Sequence, residues 1–153
     1  MRDLNGLSVE EFLARVRVKF TVFENAAPSP SERGHWSMYL NGRWYGLALK
    51  DDAKTSAGVV ESLDVSILQV LLLDSILGIK DVRTDKRIDF VGGIRGTEEL
   101  KKLVDEGRAA VALSLYPTTI DDLLKVSDAG EIMPPKSTWF EPKLRDGLLS
   151  HQI

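Results

Sequence analysis

Lys136-Ser137-Thr138, followed by Glu141 and Lys143, is the densest set of chemistry-bearing side chains in the sequence. An ammonium beside two hydroxyls is a grip for a phosphate or another anion. The usual phosphate loop also needs glycines whose backbone N–H groups turn inward. Here Pro134 and Pro135 stand in their place, and Pro142 separates Glu141 from Lys143. Proline removes the donor and stiffens the residue before it, so the usual version of that loop is excluded. Two readings remain. Lys136 and Lys143 could act as point charges, with Ser137, Thr138 and Glu141 beside them, at the edge of an anionic ligand. Alternatively Trp139 and Phe140 anchor a packing clamp while the lysines stay solvated.

The second candidate is Gly92-Gly93-Ile94-Arg95-Gly96, placed between the short strand expected over 88–91 and a helix. Glycines there allow close backbone approach, and a helix N-terminus attracts anions. Arg95 adds a cation. Glu98 and Glu99 follow in the first turn, where they already satisfy the positive helix end and would repel a phosphate. The structural alternative is a tight turn that needs positive φ, and it is the commoner use of such glycines. His35 and His151 are the only histidines, and neither has a ligand partner at i+3 or i+4, so no metal site is expected. Asp121 and Asp122 read as helix-start residues. Trp36, Tyr39, Trp44 and Tyr45 read as a core face, with a stacking platform as the alternative. No nucleophile and base can be paired from spacing alone.

The elements that must position these residues follow from periodicity and punctuation. Ser8-Val9-Glu10-Glu11 has the capping-box pattern, which predicts a helix over 9–15. Alternation of Val16, Val18, Phe20 and Val22 with polar residues predicts a strand. Asn41-Gly42 between two β-rich runs predicts a hairpin of 35–40 and 43–49. Asp64 is placed to cap a helix over 65–77, stopped by Gly78. Residues 88–91 read as a short strand, 97–106 as a helix ending at Gly107, and 109–115 as a buried strand. Thr118-Thr119 caps a last helix that Gly130 stops. Hairpin first and strand–helix alternation later imply an α+β fold. The sheet is expected to be mixed or mainly antiparallel, with helices on one face, in a single domain over 1–153.

Composition narrows the classes. With 43% hydrophobic and 28% charged residues the chain can build a core. It has no cysteine, which removes disulfides, thiolate metal sites and cysteine nucleophiles, and fits a reducing compartment. A net charge of -3 with both signs well mixed argues against nucleic acid as a partner. The N-terminal residues lack a signal-peptide core, and the apolar run at 70–73 is far too short to span a bilayer, so no membrane association and a cytoplasmic location are expected.

Taken together, Leu63-Asp64-Val65-Ser66-Ile67-Leu68-Gln69, Leu77-Gly78-Ile79, Ile88-Asp89-Phe90-Val91-Gly92-Gly93, Tyr116-Pro117-Thr118 and the Met133-Pro134-Pro135-Lys136-Ser137-Thr138 run form a familiar order. The chain resembles the C-terminal part of a bacterial and archaeal domain-of-unknown-function family, number ten-fifteen. The likeness is close over 63–151 and weaker over 4–49, and Asp146 departs from the family's usual Ser. Full-length members look longer. Their N-terminal half carries an Ala-Asp-Gly-His-His-Arg signature and is similar to ParB/sulfiredoxin-type domains, some of which are nucleotide-dependent kinases of free serine. This sequence has no His-His pair. The resemblance therefore implies an N-terminal partner domain, with any nucleotide held there and no cofactor evident in this chain. The expected function is a binding or interaction domain that completes a small-molecule or nucleotide site with that partner. The alternatives are a phosphoryl-transfer domain holding an anion through Lys136, Ser137, Thr138, Glu141, Lys143 and Arg95, or a structural domain that dimerises through the Asp64 helix.

Overall fold

The computed structural model describes residues 1–53 and 58–138. Helix α1 (Val9–Lys19) opens with the predicted capping box: the Ser8 hydroxyl accepts from the Glu11 N–H, and the Glu11 carboxylate accepts from the Ser8 N–H. The helix runs one turn past the expected end. Phe12, Leu13 and Val16 are buried along one helical stripe, whereas Val18 is 61% exposed. The valine alternation that suggested a strand thus straddles a helix and the strand after it. Arg17 and Lys19 sit in the last turn, where cations complement the negative helix end.

Strand β1 (Phe20–Glu24) then pairs with β3 (Arg43–Leu49), which pairs through the hairpin with β2 (His35–Leu40). Asn41 and Gly42 have φ of 48° and 78°, the two positive values that a type I′ turn requires. Strand β4 (Val111–Leu115) joins β2 on its far side, so the order is β1-β3-β2-β4 and every pairing is antiparallel. The mixed-sheet alternative fails because Ile88-Asp89-Phe90-Val91 is not a strand. Ile88 is buried as a core contact, Asp89 pairs with Arg2, and Phe90 stays largely exposed.

The period-two alternation sorts the sheet into two faces. Trp36, Met38 and Leu40 on β2, with Phe20, Leu47 and Val111, join α1 and the second helical segment in the main core. Phe20 and Trp36 meet edge to face, 5.4 Å between centroids. The opposite face carries Tyr39, Gly46 and Ser37. The Tyr39 hydroxyl donates to Asp105, at 2.8 Å, on helix α3 (Gly96–Asp105). Helix α1 and helix α2 (Asp64–Leu68) therefore cover one face, and α3 reaches the other, where helices on a single face were expected. Trp36, Tyr39 and Tyr45 are buried and Trp44 half-buried, so the hairpin aromatics are core and not a stacking platform.

The helix expected over 65–77 is split. Helix α2 (Asp64–Leu68) widens into a π-helical segment, Gln69–Asp74, before a turn ending at Gly78, with φ 67°. Asp64 does not cap it. The first residue outside is Leu63, and the Asp64 carboxylate accepts the Gly34 N–H instead. Helix α4 (Ile120–Asp128) has its own capping box, Thr119 with Asp122, and stops before Gly130, with φ 69°.

Candidate functional site

A cleft of about 2190 Å³ runs beside β4. Its walls come from α2, the loop before β2, the Ile88–Gly93 backbone, the start of α3, β4 itself and the Pro134–Ser137 turn. Three polar ties hold these walls. Asp64 at the start of α2 accepts the Gly34 N–H on both carboxylate oxygens, at 3.0 and 3.1 Å, and its carbonyl accepts the Trp36 indole N–H at 3.2 Å. Burial raises the Asp64 pKa, against the pull of the Gly34 N–H and Arg33.

Arg33 in the same loop reaches Asp122 on α4, Nη2 to Oδ1 2.6 Å. The other Asp122 oxygen accepts the Thr119 N–H and hydroxyl. Burial alone would raise the Asp122 pKa, but the Thr119 donors and Arg33 together bring it below the usual value. Oδ1 has no well-directed hydrogen bond among the described residues, so its compensation is the Arg33 charge.

The third tie explains the proline-rich motif. The Ser137 N–H and hydroxyl both donate to the Pro134 carbonyl, at 3.3 and 2.6 Å. Proline at the second corner and Lys136 at φ 60° at the third give the type II β-turn pattern. The Thr118 hydroxyl donates to the Ser137 carbonyl at 2.7 Å and staples the turn to the end of β4. The Ser137 hydrogen is thus committed within the turn, and only its lone pairs face outward.

Of the residues singled out by sequence, the structure brings Lys136 and Ser137 to the cleft wall. Thr138 is exposed beyond them. Gly93 and Gly96 line the cleft, while Arg95, on the 3-10 turn between them, is exposed and does not. Gly96 has φ 68°, so the glycine run is the positive-φ turn considered above. Glu141, Lys143, Trp139, Phe140, Asp146 and His151 lie outside the described residues. His35 Nδ1 lies 3.3 Å from the Arg33 carbonyl and 3.7 Å from Glu32, and among the described residues no three metal-ligating side chains gather.

Sequence reasoning missed Arg83, Arg108, Asp64 and the N-terminus as parts of the cleft wall. Single charges in loops carry no local signal, because their meeting depends on chain closure. Several are already paired: Arg83 with Asp81, and Arg2 with Asp89. Lys136 has no partner among the described residues. Lys80 also lines the cleft without a partner among the described residues, so the cleft can offer two uncommitted ammonium groups, hydroxyl lone pairs and exposed backbone, which suits holding an anion or a chain better than moving a proton.

No helix among the described residues is long and apolar enough to cross a membrane. No curated protein and no solved structure matches the chain. One family model, described as "Protein of unknown function (DUF1015)", matches residues 1–66, which span α1, the hairpin and the start of α2. The motifs beyond residue 63 suggested this likeness, and the match lies at the other end of the chain, where residues 1–66 are similar to the DUF1015 family.

Proposed function

We propose that this chain is a binding domain that completes a ligand site together with a partner domain. The observation that carries it is the size and make-up of the cleft. Small-molecule pockets usually measure about 300–1,000 Å³. At about 2190 Å³ this cleft exceeds what one small ligand needs to be enclosed. Its charges are mostly paired internally, so Lys136 and the turn that carries it form one edge of a site. A second edge supplied by a partner would narrow the cleft and bring the remaining groups.

The test is thermal denaturation of the isolated chain and of Lys136→Ala with ATP, inorganic phosphate or a sugar phosphate at millimolar concentration. The expected result is no shift for the chain alone. Adding a half that carries the Ala-Asp-Gly-His-His-Arg signature should produce a shift that Lys136→Ala loses. A shift in the isolated chain, abolished by Lys136→Ala, would overturn the reading in favour of a self-contained phosphate-binding domain.

A further inference from the structure

The N-terminal residue makes a β-bridge to the outer edge of the sheet. The Met1 amine donates to the Val111 carbonyl at 2.8 Å. The Met1 carbonyl accepts from the Ala110 N–H at 2.9 Å and, at 3.4 Å, from the Val111 N–H. Exchange in both directions is the mark of an antiparallel pair. It also shows that the hydrogen-bonding groups of Val111 point away from β2. Alternation then assigns the rest of the strand: Ala112 and Ser114 bond inward to Tyr39 and Ser37, and Leu113 and Leu115 point outward. Among the described residues nothing bonds the backbone of Leu113 or Leu115, and both line the cleft.

We propose that this edge of β4 is a strand-addition site for an extended segment of a partner polypeptide, running antiparallel to β4 and continuing the rung that Met1 begins. The occupant is defined by what is already in place. A partner segment in line with Met1 takes its direction and register, so its residue next to Met1 faces Ala112, the second Leu113 and the fourth Leu115. Leu113 and Leu115 pack against the main core, so the residues facing them are apolar. A second copy of this chain fits less well: Met1 occupies the Val111 end, leaving each copy only two outward residues for a symmetric pair. An unpaired edge with apolar side chains is a template for pairing, and main-chain hydrogen bonds are how extended segments are recognised. The inference rests on the binding-domain reading for the existence of a partner. Its test reads backbone protection and not ligand binding, so the two fail separately.

Amide hydrogen exchange by NMR is measured on the chain as it is and on the chain carrying Thr-Val-Thr-Val-Thr directly upstream of Met1, which places valines opposite Leu113 and Leu115. In the unextended chain, the Leu113 and Leu115 amides should exchange freely while those of Ala112 and Ser114 are protected. The extension should slow Leu113 and Leu115 by about tenfold or more. An extension with prolines at the two valine positions, which lack the N–H, should not. Slow exchange of Ala112 and Ser114 in every sample verifies that the sheet is intact. The proposal is overturned if the extension leaves Leu113 and Leu115 exchanging freely. It is equally overturned if they are already protected in the unextended chain: independently of concentration, the edge is covered from within the chain, and in proportion to concentration, a second copy covers it.

Discussion

Arg33 and Asp122 form an ion pair at 2.6 Å whose two ends are unequal: the carboxylate side chain is 6% exposed and the guanidinium 44%. The pair ties the loop before β2 to the first turn of α4. Arg33→Ala leaves Asp122 Oδ1 buried without its charge partner. The expected loss is about 1–3 kcal/mol, the penalty for an uncompensated buried polar atom. Asp122→Ala removes the pair and the capping box together, and the cap alone is worth about 1 kcal/mol. Urea denaturation checks both, and a midpoint for Arg33→Ala equal to that of the parent chain would show the pair to be idle.

Two acids of this region, buried Asp122 and half-buried Asp64, respond to pH with opposite sign. The folded pKa of Asp122 is depressed, so its contribution is complete above the unfolded value of about 3.9 and is lost as pH falls through the folded value. That of Asp64 is raised by burial, so its contribution is fullest below about 3.9 and is lost as pH rises through the folded value. Asp122→Asn should flatten the acid end of the stability curve. Asp64→Asn, which can still accept one Gly34 hydrogen bond, should gain most relative to the parent at neutral pH. Urea midpoints at about pH 3 and about pH 7 decide it. A neutral-pH loss in Asp64→Asn would mean that its second hydrogen bond outweighs the burial cost.

Lys136 occupies the left-handed region at φ 60°, where a side chain is strained by about 1 kcal/mol relative to glycine. Lys136→Gly should therefore match or exceed the parent in thermal stability, while Lys136→Ala keeps the strain and gains nothing. A clear destabilisation by Lys136→Gly would show that the ammonium or its stem makes a stabilising contact.

Gly46 lies in the middle of β3, with ordinary φ, yet a methyl group there would sit 3.1 Å from the Ala26 Cβ and 3.6 Å from Phe23. The segment after β1 crosses the sheet at this point, and the Ser37 hydroxyl donates to the Ala27 carbonyl at 2.8 Å. Gly46→Val should cost about 1–3 kcal/mol by overpacking. Adding Ala26→Gly should recover part of that loss, a coupling measurable by a double-mutant cycle. Strict additivity of the two substitutions would place Ala26 out of contact.

Local signals were readable where a single turn of chain decides the outcome. The Ser8–Glu11 capping box, the threonine cap of α4, the Asn41-Gly42 turn and the glycine stops after α2, α3 and α4 depend on backbone atoms a few residues apart, so residue type alone carries them. The same reasoning misplaced the α1–β1 junction, because Val16, Val18, Phe20 and Val22 satisfy a strand pattern while Val16 is needed in the helical stripe. It misread Asp64 for the same kind of reason. A carboxylate at a helix start is a cap unless a tertiary donor outbids the local one, and the Gly34 N–H does. The proline-rich motif reads from sequence as a ligand edge or a packing clamp. That it is a β-turn, with Ser137 turned back on Pro134 and Thr118 holding it, depended on the arrival of β4.

The sequence by itself determined the α+β class, the hairpin, the Ser8 helix start, the glycine helix stops and the exclusion of cysteine chemistry, because each follows from composition, propensity or contacts within one turn. Tertiary structure alone decided that the sheet is antiparallel throughout, that β4 is its edge, that Met1 lies along that edge and that Arg33 finds Asp122. The pairings of β4, Met1 and Arg33 join residues 71 to 110 positions apart, and their energy comes from burial, charge and backbone hydrogen bonding that exist only after the chain has closed.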